Sequence, residues 1–154
     1  MKVSIGKIAF ALWVVTFIGA AIYVVKGVDV SKQLGQRTAI YLSESDRDLV
    51  LDEMRMMLQS TQQIVAGLAD NDMKNVEIAA KAAGMGSAID LDPNFLSKLP
   101  LEFKTLGFSM HSDMDGIAKS VKQGATPNEV TRMLGDTLTK CVGCHSAWRI
   151  EVKQ

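Results

Sequence analysis

The two cysteines of this chain and one of its two histidines lie in a single short stretch near the C-terminus, TKCVGCHSAWR at residues 139–149. Cys141, Cys144 and His145 have the spacing C-x-x-C-H, which is the signature for attachment of a c-type haem. In that chemistry both thiols form thioethers with the haem vinyl groups, and the adjacent histidine becomes the proximal iron ligand. The sequence therefore predicts one covalently bound haem c, with His145 as a metal ligand.

Two other kinds of site could use the same residues. A redox-active or structural disulfide between Cys141 and Cys144 is chemically allowed, although the strand-to-helix context of thioredoxin-like proteins is missing. A zinc site would have to combine both cysteines with His145 and His111, the only histidines and cysteines present. Structural zinc sites normally use two separated ligand pairs. We therefore favour haem.

The elements that must position these residues are helices. The apolar positions after residue 45 recur every three or four residues, and no segment shows sustained alternation with a period of two. We expect helices over about 45–69, 72–83, 100–123 and 126–150, with a short helical piece between the second and the third. In TPNE, Thr126, Pro127 and Glu129 form a typical helix start. The sequence predicts an all-α fold, an antiparallel four-helix bundle.

The N-terminal segment differs from the rest of the chain. Residues 8–25 carry no charge, and a helix of that length would extend about 27 Å, close to the hydrocarbon core of a bilayer. Lys2 and Lys7 precede the run, so we expect a cytoplasmic N-terminus, a single-pass anchor in the inner membrane and a periplasmic haem domain. A signal peptide cleaved near residues 19–21 is the alternative. The expected segments are an anchor at 1–26, a connector at 27–44 and the bundle at 45–154.

With these features, the chain resembles the class II cytochromes c, the cytochrome c-prime-like four-helix bundles. The resemblance rests on CVGCHSAWR close to the chain end, with an aromatic residue and Arg149 after the histidine, and on the order of the helices before it. It covers about residues 45–150. The resemblance implies one haem and either electron transfer or the binding of small gases. It also raises the possibility of a homodimer formed through the first two helices.

In that family, a methionine on the first helix gives a six-coordinate electron carrier, whereas an apolar residue there leaves iron open to gases. The first helix of this chain carries DEMRMML, in which Met54 and Met57 lie on the apolar stripe and Met56 is rotated off it. We expect Met54 to be the second iron ligand and Met57 to lie in the haem wall. His111 is the rival ligand. Methionines at such spacing also fill cores.

Further residues are candidates for the haem surroundings. Arg149 could neutralise a haem propionate. The apolar candidates for the pocket are Leu51, Leu58, Phe103, Leu106, Phe108, Leu134, Leu138 and Trp148.

Composition excludes other classes of function. Lys and Arg number 17 against 17 Asp and Glu, so the clustered basic surface of a nucleic-acid-binding protein is not expected. No catalytic triad, paired carboxylates or phosphate-binding glycine loop is present, and we expect a protein that is not an enzyme. The leading expectation is a membrane-anchored monohaem cytochrome c that carries electrons between unidentified inner-membrane or periplasmic partners. The alternative is a five-coordinate haem protein that binds nitric oxide or carbon monoxide.

Overall fold

A computed structural model describes the backbone of residues 5–26, 37–88 and 92–153, and the side chains of the same residues except 21–26. The chain divides into two compact units, Met1–Gly35 and Gln36–Gln154. Most of the predicted connector, namely residues 27–36 of 27–44, lies outside the described residues. The two units are described separately below.

The first unit contains helix α1, Ile5–Lys26. Aromatic side chains spaced three and four residues apart stack along one side of it, with ring centroids 6.4 Å apart for Phe10 and Trp13 and 5.5 Å apart for Trp13 and Phe17. Such pairs are neighbours on a helix surface because of its 3.6-residue repeat. Thr16 Oγ1 donates to the carbonyl oxygen of Leu12 at 2.9 Å, which satisfies this hydroxyl within the helix.

The predicted membrane anchor requires a correction. Within the described residues, no helix has the combination of length and apolar character that crossing a membrane demands. This finding contradicts the expected transmembrane helix and the expected location in the inner membrane with a cytoplasmic N-terminus and a periplasmic haem domain. None of these is retained.

The second unit is built mainly from helices, which are α2 (Glu44–Ala69), α3 (Met73–Ala82), α4 (Met85–Ala88), α5 (Pro93–Ser97), α6 (Leu101–Lys122) and α7 (Pro127–Ala147). Their starts follow from local side chains. Ser43 Oγ accepts from the backbone N–H of Asp46 at 3.2 Å at the start of α2. Asp72 does the same for Asn75 at the start of α3. These bonds satisfy N–H groups that have no partner within the first turn.

The four long helices of this unit form a closed ring. Helix α2 packs on α3, α3 on α6, α6 on α7, and α7 contacts α2. Their inward faces form the main core. It consists of Met57, Ile64, Val76, Ala79, Ala80, Ala83, Met114, Ile117, Ala118, Val130 and Leu134. Small residues on α3 allow close packing of the neighbouring helices, and Gly67 on α2 has no room for a Cβ, which would come within 2.8 Å of Val76.

Two short strands complete the unit. Strand β1 (Thr38–Leu42) precedes α2, strand β2 (Trp148–Val152) follows α7, and the two pair in parallel from Thr38 opposite Trp148 to Leu42 opposite Val152. One face of the sheet covers a second, smaller core. That core consists of Ile40, Leu42, Val50, Phe95 and Leu99, with Met54, Leu96, Phe103, Trp148 and Ile150 packed against it.

The predicted fold class is therefore wrong as a whole. The chain is mostly helical, but it is not all-α because the parallel sheet pairs two segments from opposite ends of the unit. The last helix ends at Ala147 rather than near Ile150, since the residues after it join β1. The predicted transmembrane helix in front of the bundle is contradicted by the finding on membrane spans.

Candidate functional site

The C-x-x-C-H residues lie in the last two turns of α7. A complete capping box starts this helix, in which Thr126 accepts from the N–H of Glu129 and the Glu129 side chain accepts from the N–H of Thr126. At its other end, Arg37 Nη1 donates to the carbonyl oxygen of His145 at 3.3 Å. Cys144 is buried, Cys141 is half-buried and His145 is exposed. The last two turns of α7 therefore carry a buried thiol, a half-buried thiol and an exposed imidazole.

A large cavity of about 510 Å³ opens between the main core and the smaller core. Its wall comes from α2, α5, α6 and α7, and it includes Cys141, Cys144, His145 and Met54. Most of the remaining wall is aliphatic or aromatic. This volume lies within the range of about 300–1,000 Å³ that is usual for cofactor pockets. Met54, which precedes the C-x-x-C-H motif by about ninety residues, thus borders the same apolar space as Cys141, Cys144 and His145.

The methionines of α2 take different places. Met54 is half-buried, packs against the smaller core and borders the large cavity. Met57 also borders the cavity but is 8% exposed and belongs to the main core. Met56 does not line the cavity. The structure therefore brings the expected ligand Met54 and the expected wall residue Met57 to the same cavity as His145.

His111, the rival ligand, is already engaged on both ring nitrogens. Nδ1 lies 2.9 Å from the carbonyl oxygen of Ala83, and Nε2 lies 3.1 Å from Oε1 of Glu53. Because a carbonyl oxygen only accepts, Nδ1 carries the proton. The Glu53 oxygen is buried and is not aligned for a hydrogen bond. Burial raises the pKa of Glu53, and the charge of His111 opposes that shift. A carboxylate thus covers the His111 atom that would ligate iron.

This Glu53–His111 pair is the feature of the cavity that the sequence analysis missed. Glu53 stands directly before Met54 and, like His111, borders the large cavity. A glutamate spaced on a helix like the neighbouring apolar residues was the available signal. That spacing alone does not single it out, because a charged side chain on a helix is usually exposed.

The predicted pocket residues divide into three groups. Five of them border the large cavity, namely Leu51, Leu58, Phe103, Phe108 and Leu138. Leu134 lies in the main core instead, and Leu106 does not line the cavity. Trp148 borders a second cavity and meets Phe103 edge to face, with ring centroids 5.8 Å apart.

The second cavity, of about 310 Å³, also contains the predicted Arg149 in its wall. Arg149 Nη1 pairs with Oε1 of Glu151 at 2.6 Å, and it does not line the large cavity. Arg37 and Arg47 border the second cavity too, although no motif or spacing in the sequence singles them out. Both lie outside the apolar pattern of the helices, and only the folding of β1 against β2 brings Arg37 near His145.

The two alternative uses of the cysteines find little support in this geometry. Both thiols are free. Burial raises the pKa of Cys141, and burial together with the neighbouring Cys141 raises that of Cys144. Redox-active C-x-x-C pairs instead depend on a lowered thiol pKa. For zinc, no group of three or more His, Cys, Asp or Glu side chains in the described part of the chain could hold an ion.

Haem fits the residues that surround the large cavity. The wall is apolar, as a porphyrin face requires, and the two groups that would form thioethers are unpaired thiols on consecutive turns of one helix. A histidine and a methionine, both known axial ligands of haem iron, border the same space from α7 and α2. No family model matches this chain, and neither the curated proteins nor the solved structures contain a significant match.

Proposed function

We propose that this protein is a monohaem c-type cytochrome that carries electrons. Cys141 and Cys144 would attach the haem, and His145 and Met54 would ligate its iron. The observation that carries the proposal is that these four residues border one apolar cavity of about 510 Å³. When bound, haem c supplies a one-electron couple whose potential depends on its axial ligands and its surroundings.

The thiols contribute attachment rather than redox chemistry of their own. Their raised pKa keeps them neutral near pH 7, which opposes spontaneous disulfide exchange. Helical spacing places them on neighbouring turns, so both can reach a single ligand in the cavity. Their position two turns from the end of α7 also leaves His145 next to the same ligand.

Two sets of contacts hold the helix segments that carry His145 and Met54 in place. The Arg37 bond to the carbonyl oxygen of His145 holds the last turn of α7. Met54 is held against the smaller core, which β1 and β2 cover. Because Met54 and His145 belong to different helices, the packing of α2 and the strands around α7 determines whether both reach one iron. The apolar wall keeps water away and raises the influence of nearby charges on the iron.

Electron transfer is favoured over gas binding by the place of Met54. Capture of nitric oxide or carbon monoxide needs an axial position without a protein ligand, whereas a thioether stands on the wall facing the same cavity as His145. His111 offers no substitute, because Glu53 covers its Nε2. The electron donor and acceptor would be proteins that approach the exposed His145 side of the cavity.

Optical spectra of the full chain, purified from cells that attach haem, test this function. We expect sharp low-spin bands in the oxidised and dithionite-reduced protein, and no change of the reduced spectrum under carbon monoxide. A high-spin spectrum that shifts with the gas would contradict electron transfer through a Met54-ligated iron and would support gas binding. Absence of haem bands, in cells that load a known cytochrome c, would contradict both functions.

A further inference from the structure

The second cavity adjoins the large one and shares part of its wall. Both are lined by Leu51, Met54, Phe103, Cys144 and His145. The large cavity is apolar, whereas the second one adds Arg37, Arg47 and Arg149 to its wall. A ligand that occupied both cavities would contact apolar side chains in the large cavity and guanidinium groups in the second one.

The arginine end is positively charged. Its lining within the described residues contains three arginines and His145 but no Asp or Glu. Arg37 contacts the carbonyl oxygen of His145. Arg47 pairs with Asp48 at 2.7 Å and Arg149 with Glu151 at 2.6 Å, outside the cavity lining. Since a guanidinium carries five N–H donors in a planar fork, each arginine keeps donors for a second acceptor.

This division of the two cavities indicates a particular shape of ligand. It has a large apolar body and carboxylates at one edge, because arginine forks match carboxylates in bidentate pairs. A porphyrin with two carboxylate side chains has this form. Such a binding mode rests on the proposed function and adds an orientation of the porphyrin to it.

We propose that Arg37, Arg47 and Arg149 bind the carboxylates of the porphyrin and so fix its orientation, with the carboxylate edge toward β1 and β2. Arg37 directly precedes β1 and Arg149 lies within β2, whereas Arg47 lies in the first turn of α2. The sheet thereby brings together charges from both ends of the unit. Without the pairing of β1 with β2, Arg37 would have no fixed place beside His145.

Binding of two iron-free probes to the full chain, produced without haem attachment, tests this proposal. The probes are protoporphyrin IX and its dimethyl ester, which differ only in their carboxylates, and binding is followed by porphyrin fluorescence. We expect the diacid to bind at least about tenfold more tightly than the ester, since charge-assisted hydrogen bonds are lost with the ester. The triple variant R37Q/R47Q/R149Q should lose this preference.

Matched variants separate charge at the cavity from charge in general. R132Q removes an exposed arginine of α7 that lines neither cavity, so the preference for the diacid should persist. The lysine variant R37K/R47K/R149K should retain part of it, because the charge stays while the bidentate fork is lost. Circular dichroism melting of each variant shows whether it is folded before its affinity is compared.

Three results would overturn the proposal, namely equal binding of the two probes by the unaltered chain, an unchanged preference in the folded triple glutamine variant, or no binding of either probe. Failure here is distinguishable from failure of the proposed function. A chain that acquires haem in cells but does not discriminate between the probes refutes only the arginine site. A chain that discriminates between them but never acquires haem refutes only the cytochrome function.

Discussion

At the scale of single residues, Met54 is the side chain on which the choice between electron transfer and gas binding depends in the proposed cytochrome. It borders both cavities from α2, half-buried beneath β1 and β2. Met57, one turn further along the same stripe, is committed to the main core. The two methionines therefore differ in what surrounds them, although their positions in the sequence pattern are alike.

Replacing Met54 by alanine should convert a low-spin spectrum into a high-spin one and allow carbon monoxide to bind the reduced protein. The reason is that the variant lacks the thioether of Met54, and His111 cannot replace it because Glu53 covers its Nε2. Optical spectra of the haem-loaded variant check this. Met56→Ala is the matched control, because Met56 is on the same helix but lines neither cavity. An unchanged spectrum in Met54→Ala would remove Met54 from the ligand role.

The thiols should be poorly reactive before haem is attached. Burial raises the pKa of Cys141 and Cys144, so the folded chain holds less thiolate at neutral pH than the unfolded chain does. Because the unfolded state releases these protons first, they also lower the stability of the fold as the pH rises above the ordinary thiol range of about 8.5.

Iodoacetamide labelling of the haem-free chain from pH 7 to pH 10 measures this, with the urea-unfolded chain as the reference. We expect slower labelling of the folded chain and a midpoint at higher pH. Labelling of the folded chain as fast as that of the unfolded one would show that the thiols are not protected. It would also restore the redox-disulfide reading of the C-x-x-C pair.

At the scale of elements, local signals located most helices, and a distant pairing decided the rest. Thr126, Pro127 and Glu129 predicted the start of α7, and the capping box confirms it. Gly124 follows the end of α6 and has a backbone φ of 90°, a conformation that glycine adopts more readily than other residues. The end of α7 was predicted wrongly, because Trp148–Val152 is a strand only through pairing with Thr38–Leu42. No local periodicity reveals a partner more than a hundred residues away.

For the candidate site, too, local signals in the sequence identified some residues and missed others. Cys141, Cys144 and His145 are visible as a motif, and Met54 follows from helical periodicity. Glu53, Arg37 and Arg47 could not be identified, because their roles depend on neighbours supplied by α6 and the sheet. For Glu53 the only signal was its spacing relative to the apolar residues of α2, and that spacing does not reveal a partner on another helix.

The sheet should contribute strongly to the stability of the second unit. Leu42 is fully buried in the smaller core, whereas Tyr41 on the opposite face is 55% exposed. Leu42→Ala should lower the free energy of unfolding by about 3 kcal/mol, through lost burial and the cavity left behind. Tyr41→Ala, the matched control, should cost less than about 1 kcal/mol.

Urea unfolding of the haem-free chain, followed by circular dichroism, measures both variants. Equal, small losses for Leu42→Ala and Tyr41→Ala would show that the strands do not form a packed layer over the smaller core. Such a result would also remove the support for the position of Met54, which packs beneath that layer.

At the scale of the whole second unit, two cores leave an apolar space between them. The main core is closed by the ring of four helices, and the smaller core lies under the sheet. The candidate haem residues come from both sides, with Met57 in the main core and Met54 against the smaller one. A cofactor in this space would join the two cores, and its binding would stabilise the folded chain because the unfolded chain offers no such site.

The proposed function requires that Cys141 and Cys144 attach one haem. The intact mass of the full chain, expressed in cells that attach haem, tests it most directly. We predict a mass greater than that of the polypeptide by one haem, retained after denaturation, and a mass equal to the polypeptide alone in the variant Cys141→Ser/Cys144→Ser. An unmodified mass of the unaltered chain, from cells in which a known cytochrome c is fully loaded, would contradict the account.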